Sequence, residues 1–424
     1  MKTLIKNAEI INHDKTIKGD ILIENGIIEK IGKDLQTDKA KEIDASEKMV
    51  FPGFVDLHVH FRTPGREDKE TIETGSQAAV KGGYTTVMCM PNTEPAIDTY
   101  EVAQSIKKAS GKTGLLEVIP VGAFTKGRKG DELSDIGLLK EAGCLALSDD
   151  GCSVANSRVF RRALEYAKKF DLIGICHCEE PDLAGKGVIK ETSNSAMWGI
   201  PSVPEIAETV FVARDIELAR YLDVRLHLAH ISTARSVQMI RRAKQDGIKI
   251  TAETAPHYLI LTIDDIEKDL FDSKYKVNPP IGSEYDRQAL IEGLKDGTID
   301  CIATDHAPHT KLDKEGTFIE AAFGMIGLEM SFSLCLKLVE QGLFTFNQLS
   351  GFLSYNPANL IGLCDRGYIA EGLKADITIV DTDRKWPVTE ETIMSKSRNT
   401  PFLGKELKGM ITHTIYNGKI VYKA

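Results

Sequence analysis

The sequence lacks several features that would assign it to a specialised class of protein. Its eight cysteines include no Cys-x-x-Cys pair and are spread through apolar segments, which argues against a disulfide framework and predicts reduced, buried thiols. No apolar run is long enough to cross a membrane, and the first residues have charges inside a short apolar stretch and lack the apolar core of a signal peptide. We therefore expect a cytoplasmic protein with no membrane partner.

Positive charge is also in short supply. The chain has 53 lysines and arginines against 62 aspartates and glutamates, a net charge of -9. A nucleic-acid-binding protein normally presents a basic stripe, so this balance argues against a nucleic-acid partner. The apolar fraction of 42% and the charged fraction of 27% are ordinary for a globular protein. The predicted partner is a small molecule.

The two ends of the 424-residue chain share a pattern that its middle lacks. Each end has short β-rich runs around an Asn-Gly dipeptide, Asn25-Gly26 and Asn417-Gly418, which is a strong hairpin signal. Two separate β domains would each be too small and too rich in edge strands to be stable alone. We therefore predict one composite β domain, a small β-sandwich formed by residues 1–53 and 368–424, beside a central body of residues 54–367.

The central body alternates short apolar strands with helical stretches, which include Ile72–Lys81 and Gly327–Gln341. The predicted strands are residues 55–60, 85–90, 117–122, 144–147, 173–177, 225–230, 248–253 and 300–304. Eight such units predict an α/β fold of the (β/α)8 TIM barrel type. The alternative is a doubly wound open sheet. The strand count and the absence of a Gly-x-Gly-x-x-Gly turn after the first strand favour the barrel.

The first central strand carries two histidines with metal-ligand spacing. In Asp56-Leu-His-Val-His60, successive side chains point to opposite faces, so His58 and His60 share one face about 6.6 Å apart along the strand. Two imidazoles placed in this way can share one metal ion. A strand with two packed histidines explains the pair equally well, so the decision depends on further ligands elsewhere.

Further polar side chains stand at the ends of other predicted strands. Barrel enzymes of this type place their chemistry at these ends. The candidates are His58, His60 and Arg62 after strand 1, Asp149 and Asp150 after strand 4, His177 at strand 5, His230 at strand 6, and Asp305 and His309 after strand 8. Four histidines and two carboxylates from five strands are enough for two metal ions.

Several of these candidates have alternatives. Strand alternation puts His177 opposite Cys176 and Cys178, which favours an inward ligand beside two cysteines that pack against helices. His230 competes with His227, which alternation places on the opposite face and which we interpret as structural. Either Asp149 or Asp150 could be a turn residue before Gly151, and the other could bridge two cations; the sequence leaves this choice open.

Longer motifs give a family resemblance. The segments are Phe51-Pro-Gly-Phe-Val-Asp-Leu-His-Val-His60, Met90-Pro-Asn-Thr-Glu-Pro95, Asp149-Asp-Gly151, His177-Cys-Glu179, Val277-Asn-Pro-Pro280, Ala303-Thr-Asp-His-Ala-Pro-His309, residues 367–381 and Ser397-Arg-Asn-Thr-Pro-Phe402. Together they resemble the amidohydrolase superfamily and, within it, the class I, bacterial-type dihydroorotases. The resemblance extends over nearly the whole chain.

The resemblance implies an activity and a metal centre. Dihydroorotases interconvert N-carbamoyl-L-aspartate and L-dihydroorotate in pyrimidine biosynthesis. By analogy, His58, His60 and Asp305 hold one zinc, His177 and His230 hold a second, and Asp150 bridges both. A metal-bridged hydroxide would attack, with Asp305 as general acid and base. Many superfamily members carry a carboxylated lysine as the bridge. Its absence from Ser148-Asp-Asp-Gly151 argues against the hydantoinase and dihydropyrimidinase branches.

The resemblance also implies substrate contacts and partners. Arg62 is placed to clamp the substrate carboxylate. The other implied contacts are His60, Asn92, Asn278, His309 and the backbone of Phe323-Gly324. We expect a homodimer, and aspartate carbamoyltransferase is a partner on which some class I relatives depend. The rival functions are a different cyclic-amide hydrolase and a zinc-free scaffold for that transferase. Residues 310–317 are either a lid or an ordinary exposed loop.

Overall fold

The computed structural model describes residues 2–424 and contains eighteen strands in those residues. In chain order they are β1 (Lys2–Ile11), β2 (Thr16–Glu24), β3 (Ile27–Gly32), β4 (Lys41–Asp44), β5 (Met49–Pro52), β6 (Phe54–Val59), β7 (Tyr84–Cys89), β8 (Glu117–Pro120), β9 (Ala146–Leu147), β10 (Ile173–Cys176), β11 (Ile189–Lys190), β12 (Ser202–Val203), β13 (Leu226–Leu228), β14 (Ile250–Thr254), β15 (Cys301–Ile302), β16 (Ile377–Pro387), β17 (Glu406–Tyr416) and β18 (Lys419–Lys423).

Most helices of the described chain lie between the central strands. They are α1 (Ile72–Lys81), α2 (Tyr100–Thr113), α3 (Ile136–Glu141), α4 (Ser157–Lys169), α5 (Pro181–Ala184), α6 (Ser193–Trp198), α7 (Ile206–Leu222), α8 (Ala234–Gln245), α9 (Pro256–Ile260), α10 (Ile263–Lys268), α11 (Glu284–Lys295), α12 (Lys311–Lys314), α13 (Ser331–Glu340), α14 (Phe346–Ser350) and α15 (Asn356–Leu360). None of the helices within residues 2–424 combines the length and the apolar composition needed to span a bilayer.

Strands from both chain ends pair in one sheet, in the order β18-β17-β16-β5-β1-β2-β3, with β4 beside β1. The junction between the ends is antiparallel, with Ile377 of β16 opposite Pro52 of β5. Each chain end alone would leave the backbone hydrogen-bonding groups of its edge strands unpaired. Pairing the two ends removes one exposed edge from each. The prediction that the two ends combine is therefore confirmed at the level of the sheet.

The two Asn-Gly dipeptides form the predicted hairpin turns. Asn25 and Gly26 join β2 to β3, Asn417 and Gly418 join β17 to β18, and all four residues have positive φ. That conformation is the one two-residue hairpins require. The turns also pack against each other, because a Cβ added to Gly418 would lie 2.8 Å from the Cα of Gly26. The glycines therefore permit both the turns and the contact between the chain ends.

The central strands form the predicted eight-stranded parallel barrel. β6, β7 and β8 are neighbours, and β9, β10, β13, β14 and β15 form a second run. Parallel bridges join the runs at both sides, from Gly122 to Leu147 and from Val59 to His306. Every residue of β6 and β7 is buried, as expected for parallel strands covered on both faces. The fold is a TIM barrel with a β-sandwich.

Amphipathic helices cover the outside of the barrel. In α4, the buried residues Phe160, Ala163, Leu164 and Ala167 follow the spacing of one helix face, which packs against β10. The Asn156 side chain caps this helix by accepting from the backbone N–H of Val159 at 3.3 Å. The strands are thereby held rigidly enough to position side chains at their ends.

The cysteines are free thiols, as predicted, but two of them are not buried. Cys152, which follows the end of β9, and Cys364, which follows α15, are both exposed. The expectation of buried thiols is wrong for this pair because both residues lie in connecting segments, which run over the surface rather than through the core.

Candidate metal centre and active site

His58, His60 and Asp305 form the first part of a cluster at the carboxyl ends of the barrel strands. The His60 Nε2 atom lies 3.0 Å from Asp305 Oδ1, and the His58 Nε2 atom lies 3.7 Å from the same oxygen. All three side chains are buried. His58 lies in β6 and His60 directly follows that strand, while Asp305 follows β15, whose extension is bridged to β6 through His306. The closure of the barrel therefore brings the first and last strands of the site together.

Asp150 occupies the middle of the cluster. Its Oδ1 atom lies 3.3 Å from His58 Nε2 and 3.6 Å from both His177 Nδ1 and His230 Nε2. Its other oxygen lies 3.7 Å from His60 Nε2. The structure therefore brings together all six residues that the resemblance implied as metal ligands, with one carboxylate facing all four histidines.

Asp149, the other aspartate of the pair, has a different environment from Asp150. Its Oδ1 atom accepts hydrogen bonds from the backbone N–H groups of Phe124 at 2.8 Å and Thr125 at 3.2 Å. Its second oxygen accepts from the Thr125 hydroxyl. Asp149 thus connects two barrel loops, while Asp150 faces the histidines.

The position of His227 corrects one expectation from the sequence. Strand alternation predicted that His227 faces away from the site, yet its Nε2 atom lies 3.0 Å from Glu253 Oε2, inside the barrel. The reason is that β13 ends at Leu228 and His230 has a φ of 33°. Alternation does not hold across such a bend, so His227 and His230 both point inward.

Glu253 and Asn92 contact the two histidines at the end of β6, His58 and His60. Glu253 Oε1 lies 3.1 Å from His58 Nδ1, and Asn92 Oδ1 lies 2.8 Å from His60 Nδ1. Each oxygen accepts the Nδ1 proton, which leaves both Nε2 atoms free to face the cluster centre. Sequence reasoning missed Glu253, because its position in the strand β14 does not show that its carboxylate meets His58.

The carboxylates of the cluster remain ionised despite their burial. Burial alone would raise the pKa of Asp150, but the neighbouring His58 and the hydrogen bonds from His177 and His230 hold that pKa well below its ordinary value. The Asp305 pKa is lowered in the same way, against burial, by His60 and His58. The carboxylates also raise the pKa of His58, although burial opposes this. The cluster therefore attracts positive charge strongly.

The geometry of these residues fits a metal site, independently of the family resemblance. His58 Nε2, which faces Asp150, is a buried nitrogen without a hydrogen-bond partner in the described part of the chain. Buried polar atoms are normally satisfied, so this nitrogen indicates an absent binding partner. Two ligand groups, His58 with His60 and Asp305, and His58 with Asp150 and His230, each bring their ligand atoms within 4.8 Å of one another. Imidazole and carboxylate ligands suit zinc and related divalent ions.

A second buried group, His227, Glu253 and Cys301, also has metal-ligand spacing. Its closest pair, His227 Nε2 and Glu253 Oε2, lies at hydrogen-bond distance, 3.0 Å. Burial raises the pKa of the Cys301 thiol well above its usual value and keeps it protonated. The contact from Glu253 to His58 gives this group an orienting role beneath the main cluster.

The predicted substrate residues line the same rim. Arg62 donates from Nε to the Pro308 carbonyl at 3.2 Å, and its Nη2 atom lies 3.4 Å from His309 Nε2. Asn278 Nδ2 lies 3.4 Å from His177 Nε2. These side chains surround the cluster from the loops that follow β6 and β15 and from the loop before α11.

The contacts of Gly324 bear on its predicted substrate role. Its N–H donates to the Lys276 carbonyl at 2.8 Å, and its own carbonyl accepts from Lys314 at 3.1 Å and Asn399 at 3.0 Å. A substrate would have to share these backbone groups. Phe323 is half-exposed, with the Lys276 ammonium 4.4 Å from its ring centroid. Contact between substrate and these two residues stays a prediction.

Comparison with known proteins agrees with the fold and the site. A family model described as Amidohydrolase family matches residues 195–422, which defines the class of enzyme. A second model, described as Dihydro-orotase-like, matches residues 47–236. The dihydroorotase of Thermoanaerobacter sp. (strain X514) is 47% identical, covering 100% of this chain and 98% of that protein. The dihydroorotase of Trichlorobacter lovleyi is 46% identical, covering 100% and 99%. The chain belongs to the dihydroorotase family.

Solved structures with the same fold carry other names. The L-hydantoinase (dihydropyrimidinase) from Arthrobacter aurescens matches with a TM-score of 0.89 at 26% identity, covering 99% of this chain and 96% of that one. The dihydropyrimidinase from Brevibacillus agri NCHU1002 matches with a TM-score of 0.85 at 23% identity, covering 100% and 95%. These structures share the barrel and the β-sandwich with this chain.

Proposed function

We propose that this chain catalyses the reversible cyclisation of N-carbamoyl-L-aspartate to L-dihydroorotate in de novo pyrimidine biosynthesis. The observation that carries the proposal is the convergence of four histidines on Asp150, with Asp305 beside them. The full-length similarity to dihydroorotases supports the choice of substrate.

The proposed cofactor is a pair of zinc ions. His58, His60 and Asp305 would hold one ion and His177 and His230 the other, with Asp150 shared between them. When bound, the ions lower the pKa of water and polarise the substrate carbonyl. Asp150 suits the shared position because its Oδ1 atom faces histidines of both groups within 3.6 Å.

Asp305 is the proposed general acid and base. In ring opening, its carboxylate takes a proton from the attacking water and delivers it to the ring nitrogen as the carbon–nitrogen bond breaks. Cyclisation reverses these steps. Asp305 suits this role by position, because its Oδ1 atom lies 3.0 Å from His60 Nε2 and 3.7 Å from His58 Nε2, beside the proposed metal ligands.

The proposed substrate pocket continues from the metal ligands to Arg62, Asn278 and His309. Arg62 and His309 present nitrogen atoms 3.4 Å apart at the rim, which suits recognition of a carboxylate. Asn92 reaches the pocket through the imidazole of His60, which it contacts at 2.8 Å. His60, Phe323 and Gly324 complete the set proposed from the resemblance.

Two alternative functions are less well supported. The hydantoinase-like fold neighbours suggest another cyclic amide as substrate, but Asp150 rather than a lysine occupies the centre of this site. A metal-free scaffold for aspartate carbamoyltransferase would not need a complete ligand set, and this chain retains all six candidate ligands within 3.7 Å of a cluster neighbour.

The decisive experiment is to assay the isolated, zinc-loaded chain in both directions and to measure its metal content. We expect about two zinc ions per chain and turnover of dihydroorotate well above that of hydantoin or dihydrouracil. Zinc below one per chain, together with no dihydroorotate turnover, would support the scaffold. Activity that appears only after addition of aspartate carbamoyltransferase would show dependence on that partner.

Three further proposals concern the molecule as a whole. We propose the division into a composite β domain, residues 1–53 and 368–424, and a catalytic barrel, residues 54–367. Sheet pairing between β5 and β16 supports the composite domain. A homodimer is proposed, and sedimentation of the zinc-loaded chain tests it. The cytoplasmic location follows from the proposed place in nucleotide synthesis and stays a prediction.

A further inference from the structure

His309 lies between two cationic side chains that contact its two ring nitrogens. The Lys69 ammonium is 3.1 Å from Nδ1, and the Arg62 guanidinium is 3.4 Å from Nε2. An ammonium has only donors, so Nδ1 must accept its hydrogen bond and carry no proton. A neutral imidazole therefore carries its single proton on Nε2.

With its proton on Nε2, His309 cannot accept a hydrogen bond from Arg62. A guanidinium also has only donors, so Nε2–H and the Arg62 Nη2 group cannot hydrogen-bond to each other. Two donors held 3.4 Å apart at the rim instead require an acceptor that both can reach. A carboxylate, with two oxygens in one plane, meets that requirement.

Lys69 is held in place by contacts that leave its donors directed at His309. It is buried, its Nζ atom lies 3.3 Å from Asp313 Oδ2, and its carbonyl accepts from Ser397 Oγ at 2.8 Å. The backbone N–H of His309 donates to Asn399 Oδ1 at 3.1 Å, which holds His309 in place as well. The contact between Lys69 and Nδ1 therefore joins two immobilised residues.

Asp313 is the group that would replace Lys69 if the lysine were removed. Its Oδ2 atom lies 3.7 Å from His309 Nδ1 and is held there by the N–H and hydroxyl of Thr310, at 2.9 Å and 2.7 Å. A carboxylate beside Nδ1 draws a proton to that nitrogen. Lys69 is thus the residue that prevents Asp313 from reversing the orientation of the imidazole proton.

We propose that Lys69 is a positioning residue that keeps His309 neutral and protonated on Nε2, so that His309 and Arg62 form a two-donor clamp for a carboxylate. That this carboxylate belongs to the substrate rests on the proposed function. The protonation state of His309 does not rest on it, because it follows from contacts that are present without substrate. Burial and then the charges of Arg62, Lys69 and Lys314 lower the pKa of His309 to about 3, against the opposing effect of Asp313.

The first test is nitrogen NMR of the zinc-loaded chain labelled with 15N-histidine, with His309→Gln to assign the signal. We expect a bare Nδ1 and a protonated Nε2 in His309, unchanged between pH 5 and pH 9. In Lys69→Met, we expect Nδ1 to become protonated. The matched control Asp313→Asn retains Lys69 and should keep the original pattern. A proton on Nδ1 in the unaltered chain, or an unchanged pattern in Lys69→Met, overturns the proposal.

The second test is kinetic. Lys69→Met should raise KM for dihydroorotate roughly tenfold to a hundredfold, the range for loss of a charge-assisted hydrogen bond, with kcat changed much less. The increase should be smaller at low pH, because a doubly protonated imidazole again offers Nε2–H. An unchanged KM despite a changed NMR pattern refutes the clamp. If the NMR result holds but no form turns over dihydroorotate, the proposed function fails and the role of Lys69 in setting the protonation of His309 stands.

Discussion

At the scale of single residues, Asp305 has two proposed roles, as a metal ligand and as a general acid and base, and one substitution tests both. It lies 3.0 Å from His60 Nε2 and is ionised, so it can bind a cation and accept a proton. We expect Asp305→Asn to reduce turnover by at least ~10²-fold, the scale of general acid–base catalysis. Steady-state assay of zinc-loaded protein measures this. Asp149→Asn is the matched control, since Asp149 faces the Phe124 loop, and it should retain kcat within a few-fold. Near-normal turnover in Asp305→Asn would falsify the assigned role.

Glu253 supports a second prediction at this scale. Burial would raise its pKa, but His227 and His58 lower it to about 2, so it is a carboxylate that accepts from His58 Nδ1. We expect Glu253→Gln to weaken metal affinity roughly tenfold to a hundredfold, as for other residues that orient metal ligands. Chelator competition measures this directly, and excess zinc should restore most of kcat. His227→Asn, one hydrogen bond further from the metal ligand, should have a smaller effect. Equal affinity in Glu253→Gln and the unaltered chain would rule out the orienting role.

The positions of the candidate ligands were predictable because they follow a simple local rule. Barrel strands present side chains at their carboxyl ends, so His58, His60, His177 and Asp305 could be found from strand positions alone. Glu253 and Lys69 could not, because their roles depend on which atoms of distant segments they meet. The separations in sequence are 195 residues from Glu253 to His58 and 240 residues from Lys69 to His309.

At the scale of elements, the segment 310–317 is anchored more firmly than its polar sequence suggested. It begins with the one-turn helix α12, capped by Thr310, and Asp313 pairs with Lys69. The Lys314 ammonium donates to the carbonyls of Lys276, Ala322 and Gly324. These contacts favour an ordered loop over a lid.

Amide exchange distinguishes a loop from a lid in this segment. Because α12 is tied down without substrate, we expect residues 311–314 to exchange slowly in the zinc-loaded chain and to gain little protection from dihydroorotate. Rapid exchange that dihydroorotate slows tenfold or more would instead establish a lid. Helix α4 lies on the outside of the barrel, so its amide exchange should not change with dihydroorotate and serves as the internal reference.

Element positions were predictable to within a few residues, and the misses have physical causes. Helix Ile72–Lys81 was predicted with its observed bounds, whereas the stretch predicted as 327–341 begins only at Ser331. The backbone N–H of Gly327 contacts His306 Nδ1 at 3.2 Å and is therefore part of the loop after β15. A tertiary contact of this kind delays the helix start, although the local pattern permits helix.

At the scale of the whole molecule, the candidate metal centre connects distant parts of the barrel. Its candidate ligands come from the end of β6, from the residues after β9, β10 and β13, and from the loop after β15. We therefore expect metal removal to lower Tm. A ligand at a hundred times its Kd stabilises the folded state by about 2.7 kcal/mol, which is several degrees or less for a chain of this size. Calorimetry of the chelated and the zinc-reloaded chain measures this. Identical Tm values at saturating zinc would show that the cluster does not bind the ion.

The sequence by itself determined the hairpins at Asn25-Gly26 and Asn417-Gly418, the eight barrel strands and the pair His58 and His60, because each depends on local turn geometry or strand alternation. Only the tertiary structure decided that Asp150 rather than Asp149 faces the histidines, that His227 points inward and that Lys69 contacts Nδ1 of His309. These outcomes depend on the bent backbone at His230 and on residues that closure of the barrel brings into contact. Tertiary packing determines both, and the local sequence does not.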